Sequence, residues 1–236
     1  MPLQAVIFDV DGTIAETERH GHRVAFNRAF EEHGLPYRWD PEPYGELLAQ
    51  PGGERRLEKY LLAAGHPAEE ASELATSLHK RKQQLFLAIV REGAIPLRNG
   101  IARLVDELVA GGIAVGVATT AGRVWVIELL ELLLGDERMS AVRVIVTGED
   151  VSALKPDPEV YLKALAGLGC DAGQALAIED SAAGMRSAKA AGLACLVVRN
   201  GYTTGHDFTG ADLVVDDLDE SSIDLNALRQ LRESAP

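Results

Sequence analysis

The sequence predicts an α/β protein whose core is a doubly wound parallel sheet, with an all-helical segment inserted after the first strand. Three observations carry this. Short apolar runs alternate with amphipathic stretches of helical length from Ile95 onward, the pattern of a parallel sheet with helices on both faces. The first run, Val6-Ile7-Phe8, is continuously apolar, as in a strand buried on both faces. Between Ala15 and Arg91 the periodicity is helical, with no convincing strand.

The opening strand runs into Asp9-Val10-Asp11-Gly12-Thr13. Asp9 and Asp11 are one residue apart, so both carboxylates can turn into one crevice while Val10 faces away. That crevice lies at the carboxyl end of a strand, where open α/β sheets collect their ligands. Gly12 lets the backbone leave the strand sharply. Aspartate and glycine are also common turn residues, so the motif taken singly also reads as a plain strand exit.

A helix is expected from Glu18 to Gly34, with Val24, Ala25, Ala29 and Phe30 on one face and Gly34 as its stop. Leu35 to Pro43 is a connection rich in proline and aromatic residues. Three further helices are expected, Tyr44 to Gln50, Gly53 to Ala64 and Pro67 to Arg91, separated by Pro51-Gly52-Gly53 and Gly65-His66-Pro67. The insert is therefore expected over 16–91, and the sheet-bearing core over 1–15 and 92–236.

Within that core a helix from Gly100 to Ala110 leads to a strand, Ile113 to Ala118, ending in Thr119-Thr120. A helix from Val124 to Leu134 precedes a strand, Val142 to Val146, that ends in Thr147-Gly148. A helix from Pro158 to Gly167 precedes the strand Ala175 to Ile178, which ends in Glu179-Asp180. An alanine-rich helix, Ser181 to Gly192, and two strands, Cys195 to Val198 and Leu213 to Val215, complete the expected sheet.

At 236 residues, 47% hydrophobic and 25% charged, the chain has the size and composition of a soluble protein with a sizeable core. Its 23 Lys and Arg against 36 Asp and Glu leave a net charge of −13, which argues against nucleic acid or an anionic membrane as partner. A phosphate-bearing substrate must then be drawn in by a local cluster. The two cysteines, Cys170 and Cys195, are not in metal-ligand spacing, and Cys195 lies in an apolar strand where a buried thiol is expected. No disulfide framework, secretory signal or bilayer-length apolar segment is visible, so a cytoplasmic protein is expected, and a monomer.

Four strand ends or adjoining loops carry polar groups: Asp9 with Asp11, Thr119, Lys155 in Leu154-Lys155-Pro156-Asp157-Pro158, and Glu179 with Asp180. Singly, Thr119 reads as a helix cap, Lys155 as a solvated loop lysine, and Glu179-Asp180-Ser181 as a helix start with acids in its first turn. In order, each following an apolar strand, they read as one site. Two like charges about 4 Å apart repel by roughly 4 kcal/mol at an effective dielectric of about 20. Converging carboxylates would therefore repel strongly or stay protonated. A hard divalent cation relieves this, and oxygen ligands without His or Cys point to Mg²⁺. The cation would draw in a phosphoryl group, with Lys155 and the Thr119 hydroxyl on its oxygens and amides around Thr120-Ala121 assisting. One aspartate, ionised beside the metal, attacks phosphorus, and the other protonates the leaving alkoxide and then activates water. Neutralisation of the transferred oxygens by the metal and Lys155 supplies the largest share of such catalysis.

Asp9-Val10-Asp11-Gly12-Thr13, Thr119, Lys155 and Glu179-Asp180 resemble, in order over the whole chain, the four motifs of the haloacid dehalogenase superfamily. The resemblance implies a Rossmann-like core, with Asp9 as nucleophile, Asp11 as general acid and base, and Thr119 and Lys155 as phosphate ligands. Mg²⁺ would be held by the Asp9 carboxylate, the Asp11 backbone carbonyl and Asp180, with Glu179 close by. The insert would be the family's C1 cap, which closes over the site and excludes water. Dehalogenating members lack the second aspartate, so Asp11 argues for phosphoryl chemistry.

A closer resemblance is to the CbbY group, phosphatases of sugar bisphosphates that inhibit Rubisco. It rests on Glu16-Thr17-Glu18, His22 with Ala25-Phe26-Asn27, Trp39-Asp40 before Tyr44, and Gly52-Gly53 with Arg56. Val117-Ala118-Thr119-Thr120 and Gly201-Tyr202-Thr203 with His206 extend it. It implies a substrate such as xylulose-1,5-bisphosphate, met in the cap by Glu18, His22, Tyr44, Gly52 and Arg56. The chain departs from the group at Trp125, where a small polar residue is expected, and at Glu54, where a basic one is expected; both bear on substrate, not on reaction. A bisphosphate needs a second cationic site beyond Lys155, which favours Arg56 over a solvated Arg55-Arg56-Lys59 face. His22 has no histidine partner at metal spacing. Lys80-Arg81-Lys82 reads as a solvated helix face. A phosphosugar mutase of the β-phosphoglucomutase type would use the same acids, and a receiver-type phospho-acceptor module also combines acids, Thr and Lys around Mg²⁺.

Overall fold

The computed structural model describes residues 2–50 and 52–235; Pro51, part of the expected break before the third helix, lies outside the described residues. The chain divides into two compact units, Met1–Glu16 with Pro96–Pro236, and Thr17–Ile95.

The first unit carries a six-stranded sheet in the order β3-β2-β1-β4-β5-β6. The strands are β1 (Ala5–Phe8), β2 (Ala114–Ala118), β3 (Val142–Val146), β4 (Ala175–Glu179), β5 (Ala194–Val198) and β6 (Leu213–Val215). Every neighbouring pair is parallel. β1 sits between β2 and β4, with Ile7 opposite Gly116 on one side and Ala177 on the other. Chain order reverses there, which opens a crevice beyond the carboxyl ends of β1 and β4. The strands that read as unbroken apolar runs, β1, β4 and β5, are buried throughout, while the edge strands β3 and β6 are only partly buried.

The flanking helices of this unit are Ile101–Ala110, Arg123–Ala141, Glu159–Leu168, Ala182–Ala190 and Leu225–Ser234. The third and fourth supply Val160, Tyr161, Met185 and Ala188 to one core with Ile7, Ala177 and Cys195. The helix expected to end at Leu134 runs on to Ala141, broken at Gly135, whose φ of 69° interrupts the helical path. Leu225–Ser234 was not expected; the Asp224 carboxylate caps it by accepting from the Ala227 N–H at 2.7 Å. Both cysteines are free, and Cys195 is buried as its strand implied. The chain leaves and re-enters this unit through a short ribbon, in which Glu16 N–H donates to Pro96 O and Arg98 N–H to Ile14 O.

The second unit is all-helical. The segment expected as one helix from Glu18 is a π-helical turn, Glu18–His22, leading into a helix at Arg23–Glu32. Helices at Pro41–Leu47, Gly53–Ala63 and Ala68–Arg91 follow. Phe26 joins Ala25, Ala29 and Phe30 in the buried set of the first helix, and Val24 is only partly buried. An aromatic cluster fills the interior: Trp39 lies 4.8 Å from Phe26, 5.0 Å from Phe30 and 5.2 Å from Tyr60, centroid to centroid. Lys82 departs from the expected solvated face. It is buried, with its ammonium about equally over the Phe26 and Phe86 rings, because it falls one helical turn after Leu78 and one before Phe86. No helix among the described residues is long and apolar enough to cross a membrane.

Candidate active site

Asp9 follows β1 directly. Its N–H donates to Ile178 O at 3.0 Å, which extends the β1–β4 ladder by a residue and sets Asp9 beside Glu179. Asp9, Glu179 and Asp180 are all buried, and one carboxylate oxygen from each lies within 4.8 Å of the others. Lys155 reaches this group from the loop after β3. Its ammonium donates to Asp9 Oδ1 at 2.6 Å, Glu179 Oε1 at 2.6 Å and Ala118 O at 2.9 Å, which uses all three of its protons. Residues separated by more than a hundred positions therefore meet at four strand ends, as the order of motifs predicts.

Burial sets the electrostatics. Desolvation pushes the Asp9 carboxyl up to about 8, opposed by Lys155 and reinforced by the charges of Glu179 and Asp11. Burial raises Asp180 well above the usual carboxylate range, and Asp9 and Glu179 add to it. Burial alone would lower the Lys155 ammonium, but the Asp9 and Glu179 charges more than offset it and hold it above its ordinary value. Three acids facing one ammonium leave two negative charges uncompensated when all are ionised. An all-oxygen donor set with that deficit fits a hard divalent cation.

Two glycines make room for the acids. Gly12 has φ +79°, and a Cβ there would lie 2.3 Å from Asp180 Oδ2. A Cβ on Gly184 would lie 2.0 Å from the Glu179 carboxylate. Asp11 is half-buried and bridges to Ala15 through its backbone; its carboxylate is outside the cluster of three.

Thr119 is buried at the end of β2, and its hydroxyl accepts from the Ala121 N–H at 3.2 Å. It does not cap the next helix, whose N-cap is Gly122. Thr120 is exposed. Ser181 does cap a helix, accepting from Gly184 N–H at 3.1 Å, so this part of the Glu179-Asp180-Ser181 segment serves both the helix and the cluster.

Three residues in or beside this cluster lie outside the sequence motifs: Tyr161 and Asn200 hold its acids, and Arg98 holds the Gly12 carbonyl next to it. Tyr161 donates its hydroxyl proton to Glu179 Oε1 at 2.6 Å, and burial raises its phenol well above the ordinary value. Asn200 Nδ2 donates to Asp180 Oδ2 at 2.7 Å and to Gly12 O at 3.3 Å. Arg98 also donates to Gly12 O, and to Val198 O at 3.0 Å and Arg199 O at 2.7 Å, while its Nε meets Glu16 Oε1 at 2.9 Å. Asn200 carried a legible signal, since it lies two residues past the end of β5 at the carboxyl edge of the sheet. Arg98 and Tyr161 sit in ordinary helical or connecting sequence and carried none.

The remaining candidates lie in the helical unit. Tyr44 donates to Glu18 Oε2 at 2.7 Å, and Arg56 donates to Tyr44 OH at 3.3 Å and Leu47 O at 3.1 Å. Glu18, Tyr44 and Arg56 thus form one hydrogen-bonded group, and Arg56 is buried, unlike its neighbour Arg55. His22 is drawn elsewhere: it stacks on Phe86 at 3.9 Å, and its Nδ1 lies 2.8 Å from the Lys82 ammonium. Gly52, with φ +85°, is the N-cap of Gly53–Ala63. Glu54 accepts from the Thr76 hydroxyl at 2.6 Å.

The chain matches the model of the haloacid dehalogenase-like hydrolase family over residues 6–198. Protein CbbY of Rhodobacter capsulatus is 41% identical over 218 residues, which cover 92% of this chain and 95% of that protein. A crystal structure of CbbY from Rhodobacter sphaeroides in complex with phosphate resembles this one with a TM-score of 0.79 at 38% identity, over 96% of this chain and 99% of that one. An Asp-to-Asn mutant of that protein, in complex with xylulose-1,5-bisphosphate, matches with the same score and identity over 94% and 100%.

Proposed function

The chain belongs to the haloacid dehalogenase-like hydrolase family, and we propose that it is a Mg²⁺-dependent sugar-phosphate phosphatase acting through an aspartyl-phosphate on Asp9. Xylulose-1,5-bisphosphate is the proposed substrate. The observation that carries the reading is the buried meeting of Asp9, Glu179 and Asp180 around one lysine, with a second aspartate two residues after the first. A structural ion pair would not call for a third buried acid, Asp180, beside the two that Lys155 holds.

The Asp9 and Asp180 carboxylates and the Asp11 carbonyl would hold Mg²⁺, with Glu179 behind them. When bound, the cation neutralises the acids and the phosphoryl oxygens. Asp9 attacks phosphorus, forming the Asp9 O–P bond as the P–O bond to the sugar breaks. Asp11 gives its proton to the departing sugar oxygen. Asp11 then takes a proton from water, whose oxygen attacks phosphorus and releases phosphate and free Asp9. Lys155 keeps the Asp9 oxygen oriented and supplies positive charge to the transferred group, and the Thr119 hydroxyl and Thr120 segment receive its remaining oxygens. Glu18, Tyr44 and Arg56, with His22 and Gly52, are assigned to the rest of the sugar, and the helical unit to the role of cap. Support for the bisphosphate is the complex of the 38% identical relative and the buried guanidinium of Arg56.

The test is phosphate release from xylulose-1,5-bisphosphate with Mg²⁺, with and without a chelator. Asp9→Asn should abolish turnover while leaving the fold intact by circular dichroism. Appreciable residual activity in that variant would remove Asp9 from the nucleophile role. Isomerised sugar phosphate without free phosphate would assign a mutase.

A further inference from the structure

We propose that Asn200 is a positioning residue for the Asp180 carboxylate: it holds one oxygen of Asp180 so that the other stays presented to the cation. This rests on the metal-dependent reading above. Asn200 lies outside the four sequence motifs; its side chain donates to Asp180, one of the groups assigned to the phosphoryl transfer, and to the Gly12 carbonyl, which is not one of them.

The orientation of the Asn200 amide is over-determined. Its Oδ1 accepts from the Tyr202 N–H at 2.9 Å, its own N–H donates to Thr203 Oγ1 at 3.0 Å, and its carbonyl accepts from the Thr203 N–H at 3.1 Å. Thr203 is itself buried. With Oδ1 engaged by a donor, the two amide protons face Asp180 Oδ2 and Gly12 O. The flipped amide would set an acceptor against two acceptors and a donor against a donor. The backbone around Asn200 is clamped as well. Arg98 binds the carbonyls of Val198 and Arg199 immediately before it, and the Nη1 that donates to Val198 O also donates to Gly12 O. Gly12 has to be glycine for this contact, since a Cβ would lie 2.6 Å from Asn200 Nδ2.

The chemistry of the donor matters. Lys155 spends its protons on Asp9, Glu179 and Ala118 O, so it does not reach Asp180. A cationic partner on Asp180 would compete with a bound cation for its charge. A neutral amide orients the carboxylate and leaves its full charge available, as outer hydrogen bonds to metal ligands commonly do.

The experiment is titration of the substrate-free protein with Mg²⁺ by calorimetry, and with Mn²⁺ by electron paramagnetic resonance, in wild type and Asn200→Ala. The alanine variant should bind either ion about 10–100-fold more weakly, while the three lost side-chain hydrogen bonds lower its melting temperature in chelator by a few degrees and leave it folded. Its kcat should recover toward wild type at saturating Mg²⁺, and its substrate KM should be little changed. Unchanged cation affinity overturns the proposal, and so does a kcat that saturating Mg²⁺ fails to restore in a variant that is folded in chelator. Asn200→Gln, which keeps an amide but moves it by one methylene, is titrated in the same way and decides the matter if the alanine variant does not fold. Wild type that binds neither ion overturns the metal-dependent reading itself, which separates the two failures.

Discussion

Replacing Lys155 by methionine removes the one cation inside a group of three buried acids and keeps most of the side-chain volume. In the native protein its ammonium, with 6% of its side chain exposed, sits 2.6 Å from both Asp9 and Glu179. Removing one partner of a buried ion pair costs about 3–5 kcal/mol, because the other is left buried and unpaired. For a chain of this size that is a fall in melting temperature of about 6–20 °C. The loss should depend on pH, and its sign follows from Asp9. Its carboxyl rises from an ordinary 3.8 to about 8 in the folded protein, so the folded state keeps a proton that the unfolded chain releases. Stability from such a group is present below the unfolded value and is lost as pH rises through the folded one. Without Lys155 the acids hold protons still more tightly, so the deficit of Lys155→Met should be smaller at pH 5 than at pH 8. Differential scanning calorimetry in chelator at both values measures it. A melting temperature within a degree of wild type at pH 8, or a deficit larger at pH 5, would refute the account of Lys155 as the charge that makes this cluster tolerable.

The same raised Asp9 and Asp180 carboxyls make the wild-type protein in chelator lose stability between pH 5 and pH 8, and Mg²⁺ should restore more at pH 8, where it displaces fewer protons. Thermal melts across that range, with and without Mg²⁺, check this; a Mg²⁺ effect that is flat with pH would contradict it. Arg56→Ala should raise KM for a sugar bisphosphate far more than for an aryl phosphate, while the lost bonds to Tyr44 and Leu47 lower the melting temperature by a few degrees. Equal KM effects on the two substrates would confine Arg56 to holding the helical unit together.

Much of the protein is written in local pattern. A buried parallel strand needs apolar residues on both faces, so β1 and β4 were legible, and with them the acids that follow each. Parallel strands end on the same edge of a sheet, so the order of motifs alone was enough to converge Asp9, Lys155, Glu179 and Asp180. Other features depend on neighbours distant in sequence. Lys80-Arg81-Lys82 has the composition of a solvated face, yet Lys82 is buried because Phe26 and Phe86 present ring faces to its ammonium and His22 a nitrogen. The partners of Arg98 are backbone carbonyls of residues 12, 198 and 199, and a carbonyl has no letter in a sequence. Tyr161 and Asn200 are ordinary residues whose significance is the oxygen they hold, on Glu179 and Asp180. Residue types and their spacing determined which acids share an edge of the sheet; the tertiary fold decided how their oxygens are aimed, because aim is set by hydrogen bonds between segments that only folding brings together.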